Sequence, residues 1–188
     1  MTSNVATKGD LEKILIDESK LAARVKEMAC QISGNYPSLE SPLLVVGILR
    51  GALIFMADLV RAIEIPVAFD FMAVASYGNS AHSSGAVRIL KDLDEDIKGR
   101  HVLIIEDIID TGLTLSYLVE TLKARNPASI KICTLLNKPA RRKIDIIPDY
   151  IGFDIEDLFV VGYGLDFAGN YRHFPFIGVL KPSVYEKK

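Results

Sequence analysis

Apolar positions in this chain switch repeatedly between helical spacing and short unbroken runs. From Ser19 to Ser33 they fall at Leu21, Val25, Met28, Ala29 and Ile32, which predicts a helix with one buried face. Gly34-Asn35-Tyr36-Pro37 should stop it. Leu43–Leu49 is a continuous apolar run of strand length. Helical spacing returns over Gly51–Ile63, with Leu53, Met56, Val60 and Ile63 on one side. Pro66–Ser76 alternates in part and predicts a strand. Gly78–Gly85 carries no packing signal and reads as a mobile loop. Ala86–Leu90 resumes a strand, and the charged run Lys91–Lys98 is a turn. His101–Glu106 reads as a buried strand, and the next helix places Leu115, Leu118, Val119 and Leu122 at i, i+3, i+4 and i+7. Asn126-Pro127 ends it. Ser129–Leu136 is a further strand; Tyr150–Phe153, Phe159–Gly162 and Phe176–Leu180 are short strand candidates. Residues 1–10 read as a loose tail.

Strand and helix alternate through the middle of the chain. That pattern predicts an α/β fold with a mostly parallel sheet flanked by helices on both faces. At 188 residues and 49% hydrophobic content, the chain suits one domain, residues 1–188, with a sizeable core. The formal charge of -2, from 22 basic and 24 acidic residues, argues against a nucleic-acid partner, which usually draws a basic excess. Cys30 and Cys133 match no metal spacing. His82, His101 and His173 form no ligand set. Met1–Asp10 is polar and lacks a signal-peptide core, and no apolar run approaches the roughly 20 residues that span a bilayer. A cytoplasmic protein with no membrane partner is expected.

The most chemically loaded segment is Glu106–Thr114. Two adjacent carboxylates, Glu106 and Asp107, close an apolar strand, and the small-residue turn Asp110-Thr111-Gly112 opens a helix. Open α/β sheets bind ligands at that edge. A helix amino terminus there offers free N–H groups to an anion, usually phosphate. The hydroxyls of Thr111 and Thr114 can join them. Carboxylates beside a phosphate need something between, such as a magnesium ion or a row of sugar hydroxyls. Asp110, between cradle and helix, is placed for proton transfer; its alternative role is a helix cap.

Glu106-Asp107-Ile108-Ile109-Asp110-Thr111-Gly112 closely resembles the phosphoribosyl pyrophosphate signature of the phosphoribosyltransferases. The surrounding residues resemble the hypoxanthine-guanine branch, bacterial hypoxanthine enzymes above all. The similarity runs from about Leu43 to Leu180. It implies the type I phosphoribosyltransferase fold, with a small hood from the N-terminal segment and roughly residues 155–188. It further implies a ribose-phosphate site at Glu106, Asp107, Asp110, Thr111, Gly112, Leu113 and Thr114, where some relatives carry Lys in place of Leu113. Leu49-Arg50-Gly51 resembles the pyrophosphate loop, with a cis peptide before Arg50, and Arg172 resembles the arginine that meets the departing pyrophosphate. Ser76-Tyr77-Gly78 with Ser83-Ser84-Gly85 resembles the mobile lid, which excludes water from a hydrolysis-prone donor.

On the same resemblance, the purine site comprises Lys138, Phe159, Val160 and Asp166. Lys138 donates to a 6-oxo oxygen, which disfavours the 6-amino group of adenine. Phe159 offers a stacking face, and backbone groups of Val160 read the base edge. Glu106, Asp107 and Asp166 attend Mg2+, Asp166 through water at a second ion. Asp110 is the catalytic residue, taking the proton at purine N7. Arg141, Arg142 and Lys143 read as a solvated basic turn. The implied activity is transfer of a phosphoribosyl group from phosphoribosyl pyrophosphate to N9 of hypoxanthine or guanine, by a homodimer or homotetramer. Rival readings are a transferase for xanthine or adenine, and a regulatory protein on the same fold that senses nucleotide or binds RNA.

Overall fold

The unbroken apolar runs become neighbouring strands, and each helical pattern becomes a helix laid across them. The computed structural model describes residues 7–76 and 87–186. Its elements are β1 (Leu11–Ile16), α1 (Glu18–Asn35), β2 (Leu43–Leu49), α2 (Leu53–Ala62), β3 (Val67–Ser76), β4 (Val87–Lys91), β5 (His101–Ile109), α3 (Leu113–Lys123), β6 (Ser129–Asn137), β7 (Tyr150–Asp154), β8 (Val160–Val161), β9 (Ile177–Leu180) and α4 (Pro182–Tyr185). A six-stranded sheet has the order β4-β3-β2-β5-β6-β7. All its pairs are parallel except β3 with β4.

Strand periodicity explains why β2 and β5 are apolar throughout. Side chains alternate between faces, and both faces are covered. Leu43 and Val45 of β2, with Leu103 and Ile105 of β5, pack under Leu21, Val25, Met28 and Ile32 of α1 and Phe55 and Leu59 of α2. Leu44, Val46, Val102 and Ile104 pack on the other side under Leu115, Leu118, Val119 and Leu122 of α3. Beyond Ile105 the strict alternation is interrupted: Ile108 joins the α1/α2 side and Ile109 the α3 side. The interruption coincides with Glu106 and Asp107.

A second sheet of three strands, ordered β1-β9-β8, draws on both ends of the chain. It carries a separate apolar cluster of Leu11, Val161, Tyr171, Phe174, Phe176 and Leu180.

The structure departs from the sequence expectations in four places. β1 follows the tail, where no strand was expected: Leu11 and Ile16 are buried but Glu12, Lys13 and Ile14 are exposed, so no period-2 signal exists. α1 continues through Gly34 to Asn35 and ends at Tyr36, whose N–H bonds the Ser33 carbonyl; its start is fixed by Asp17, which accepts from the Lys20 N–H at 2.9 Å. β5 runs three residues beyond the expected His101–Glu106 because β6 keeps pairing with it as far as Ile109 and Asn137. The two carboxylates therefore lie inside the strand. α2 begins at Leu53, later than its apolar spacing suggested.

Candidate active site

The chain leaves β2 toward β3 on one side, while β5 lies against the other side of β2. The carboxyl ends of β2 and β5 thus flank the point where strand order reverses, the usual ligand crevice of such sheets. The loop after β2 and the turn after β5 both start there.

The turn after β5 shapes the first part of the site. Gly112 caps α3 with φ +83°, a left-handed conformation that favours glycine. Asp110 is therefore not the helix cap. A cleft of about 120 Å³ opens at this corner, lined by Glu106, Ile108, Ile109, Asp110, Thr111, Gly112, Thr114 and Leu115. The Leu113 N–H points to Thr111 Oγ1 at 3.4 Å, while the Leu113 side chain is exposed. Only its amide can serve a ligand. The cleft is thus a helix amino terminus with hydroxyls beside it, suited to a phosphate.

The loop after β2 is seated directly on β5. The Leu49–Arg50 peptide is cis, as the resemblance implies. A Cβ on Gly51 would lie 1.7 Å from Asp107 Oδ2, so only glycine lets the loop approach this closely. Arg50 is exposed. Arg172 reaches the same region: its guanidinium donates to the Gly164 carbonyl at 2.5 Å and pairs with Asp166 at 2.5 Å. Asp166 also accepts from the Gly169 N–H at 2.7 Å.

Burial, and then the adjacent Asp107 charge, hold Glu106 well above the ordinary carboxylate range. Asp107 is pushed up to about 6, chiefly by burial; the Ile108 N–H and the Arg172 charge act against the shift, and Asp166 adds to it. Among the described residues neither Glu106 nor Asp107 takes part in an ion pair, and no three metal-binding side chains converge. Two buried carboxylates that make no ion pair among the described residues suit an ion that completes its shell with substrate oxygens, or sugar hydroxyls.

A second cavity, of about 360 Å³, is lined by Asp110, Lys138, Arg141, Asp157, Leu158, Phe159 and Tyr185. Asp110 is shared between this cavity and the cleft at α3. Lys138 is buried; its Nζ donates to the Leu158 carbonyl at 2.7 Å and sits 3.5 Å from Asp157. Arg141 Nε lies 2.7 Å from Asp110 Oδ1. The pair is not aligned as a hydrogen bond, and this buried oxygen has no hydrogen-bond donor among the described residues. Phe159 is 38% exposed. Val160 sits in β8 opposite Val179, and the Phe159 carbonyl already accepts from the Leu180 N–H at 2.8 Å.

Comparison with known proteins decides the family. A family model for the phosphoribosyl transferase domain matches residues 13–168. The chain belongs to the phosphoribosyltransferase family. It is 55% identical over 179 residues to the hypoxanthine-guanine phosphoribosyltransferase of Bacillus subtilis, covering 95% of this chain and 98% of that protein. A hypoxanthine phosphoribosyltransferase from Staphylococcus aureus superposes with a TM-score of 0.92 at 45% identity, over 98% of this chain and 100% of the other. The Trypanosoma cruzi hypoxanthine phosphoribosyltransferase in complex with the product IMP superposes with a TM-score of 0.89 at 41% identity, over 96% and 100%.

In this phosphoribosyltransferase the sequence-derived residues fall into two adjoining groups. Glu106, Asp110, Thr111, Gly112 and Thr114 surround the cleft, and Asp110, Lys138 and Phe159 surround the cavity. Asp107 stands beside Gly51. Asp166 does not join Glu106 and Asp107 in one ligand set; its partner is Arg172. Ser76 ends β3, and Tyr77, Gly78, His82 and Ser83–Gly85 lie outside the described residues. Four cavity residues, Arg141, Asp157, Leu158 and Tyr185, escaped the sequence reading. Arg141 is exposed, as the solvated basic turn implies, and the single turn Pro139–Arg141 also brings it beside Asp110 and Asp157. Its spacing of three from Lys138 was the available signal. Tyr185 had none, because its placement depends on the second sheet.

Proposed function

We propose that the protein transfers the 5-phosphoribosyl group from phosphoribosyl pyrophosphate to N9 of hypoxanthine, and of guanine, releasing pyrophosphate and the purine nucleoside monophosphate in purine salvage. The observation that carries this reading is the sharing of Asp110 between a phosphate-sized cleft and a base-sized cavity. A nucleoside monophosphate spans such a pair, with its ribose beside Glu106 and Asp107. The named relatives act on these bases, and a neighbour of known structure holds IMP.

The residues then divide the work. The amides of Leu113 and Thr114 and the hydroxyls of Thr111 and Thr114 receive the 5′-phosphate. Glu106 and Asp107 accept from the ribose hydroxyls. Lys138 directs its ammonium to the 6-oxo oxygen, Phe159 stacks on the base, and Val160 reads its edge through the backbone. The C1′–pyrophosphate bond breaks as the C1′–N9 bond forms. Positive charge grows on the ribose and negative charge on the leaving group. Arg172 and the backbone of Leu49-Arg50-Gly51 stabilise the latter. Asp110 takes the proton from purine N7, which makes N9 more nucleophilic. Its oxygen without a hydrogen-bond donor supports that role.

The buried carboxylates of Glu106 and Asp107 would hold Mg2+, and Asp166 would attend a second ion. When bound, Mg2+ supplies positive charge to the pyrophosphate oxygens. We take the three-stranded sheet as the hood over the base. A homodimer or homotetramer is the working unit and the cytoplasm its place. Among the described residues no helix is long and apolar enough to cross a membrane.

The test is direct. The protein is incubated with phosphoribosyl pyrophosphate, Mg2+ and one base at a time, and nucleoside monophosphate is measured. Product with hypoxanthine and guanine, and none with adenine, is expected. Product with adenine or xanthine alone overturns the base assignment.

A further inference from the structure

We infer that Tyr185 is a positioning residue of the base site, holding the Phe159 ring in the orientation on which the purine stacks. The inference rests on the base site proposed above and extends it to a residue near the C-terminal end of the chain.

Phe159 is held on two sides. The Tyr185 ring stacks on it with centroids 4.7 Å apart and planes 18° apart, and Phe167 meets it edge-on at 5.5 Å and 88°. Aromatic pairs at such distances hold each other beyond the area they bury. Tyr185 covers one face of the ring, and Phe159 stays exposed at the cavity that both residues line. A phenylalanine this exposed has little else to fix its torsions.

Tyr185 is itself well anchored. The Leu180 N–H bonds the Phe159 carbonyl at 2.8 Å, and the Lys181 N–H bonds the Asp10 carbonyl at 3.0 Å. Lys181 Nζ donates to the Gly9 carbonyl at 2.6 Å. Pro182 then starts the single turn α4, closed by the Val184 N–H on the Lys181 carbonyl at 2.9 Å. The C-terminal turn is thereby fixed to the N-terminal segment and to Phe159 itself. Tyr185 also borders the cavity that holds Asp110 and Lys138, so its phenol rims the base site. A binding wall set by supporting aromatics loses less freedom when ligand arrives.

The experiment is a double-mutant cycle on base kinetics. Tyr185→Ala is expected to raise KM for hypoxanthine about three- to tenfold, the range of one aromatic pair, with KM for phosphoribosyl pyrophosphate unchanged. Tyr185→Phe, which keeps the ring, restores the wild-type value. In a Phe159→Ala background, Tyr185→Ala adds no further rise, because the ring it supports is gone. A Tyr185→Ala enzyme with unchanged base KM, beside a Phe159→Ala enzyme with raised KM, overturns the inference and leaves the base site standing. A lowered base KM in Tyr185→Ala also overturns it, identifying Tyr185 as a competitor for the base's place. Unchanged base KM in Phe159→Ala overturns the base site and the inference together.

Discussion

Two side chains of the cavity wall are asked to do different things to the same base. Asp110 faces Arg141 at 2.7 Å without an aligned hydrogen bond. The guanidinium lies beside the carboxylate, and this oxygen has no hydrogen-bond donor among the described residues. Asp110→Asn retains shape and loses the capacity to accept a proton. It should lower kcat by about a hundredfold or more, the scale of a lost acid-base group, while donor binding changes little. Steady-state kinetics beside a donor-binding isotherm check this, and parallel losses in both remove the acid-base role. Lys138 is buried with its charge against a carbonyl and near Asp157. A charged hydrogen bond to an exocyclic oxygen contributes about 1.5–3 kcal/mol. Lys138→Ala should therefore raise the base KM about tenfold or more and leave the donor KM near its wild-type value. An unmoved base KM contradicts the donor role.

Between elements, the contact of the β2 loop with β5 is the tightest in the site. Gly51 has Asp107 Oδ2 where a Cβ would stand, and Asp107 is held by the Ile108 N–H at 2.9 Å. Gly51→Ala must move either the pyrophosphate loop or the buried carboxylate. Forced overpacking costs about 1–3 kcal/mol, so kcat/KM for the donor should fall about tenfold or more; wild-type donor kinetics in this variant would show that the seat is loose. This contact also marks what the sequence makes legible. The runs Leu43–Leu49 and Val102–Ile105 declare buried strands because both their faces are covered. Asp110-Thr111-Gly112 declares a turn through residue type. That Gly51 meets Asp107 is invisible, since it depends on how β2 and β5 register. β1 is invisible for another reason: it shows only two buried residues in six and is a strand because β9 is there to pair with it. Arg141 is solvent-facing as read, but its pairing with Asp110 was invisible because local charge density says nothing of the single turn that returns it there. The proposed base site rests on the resemblance; periodicity alone would have put Phe159 in a core.

For the whole molecule, the site is a source of pH-dependent instability. Glu106 and Asp107 are both shifted upward, Asp107 to about 6, with burial the main cause. A carboxyl whose pKa is raised by folding binds protons more readily in the native state. Its contribution to stability is complete below the unfolded value of 3.8 and is lost as pH rises through about 6. Carboxylates in surface pairs titrate in the other sense: Asp92, lowered mainly by its hydrogen bond with Arg125, supports the fold above its unfolded value. The total melting curve mixes both signs, so the informative quantity is the difference between the wild-type protein and Asp107→Asn, both free of ligand and metal. The variant should melt above wild type at pH 7, and that advantage should shrink as pH falls through about 6 and disappear only below 3.8, where the carboxyl is protonated in both states. Ligands that favour the charged carboxylates should act oppositely. Nucleoside monophosphate with a divalent cation should raise the wild-type Tm more at pH 7 than at pH 5, following the mass-action gain from binding the native state alone. A Tm difference between wild type and Asp107→Asn that stays constant from pH 5 to pH 7 would mean Asp107 does not titrate in this window. Such a result would leave the crevice without the buried charge that draws sugar hydroxyls and cation to it.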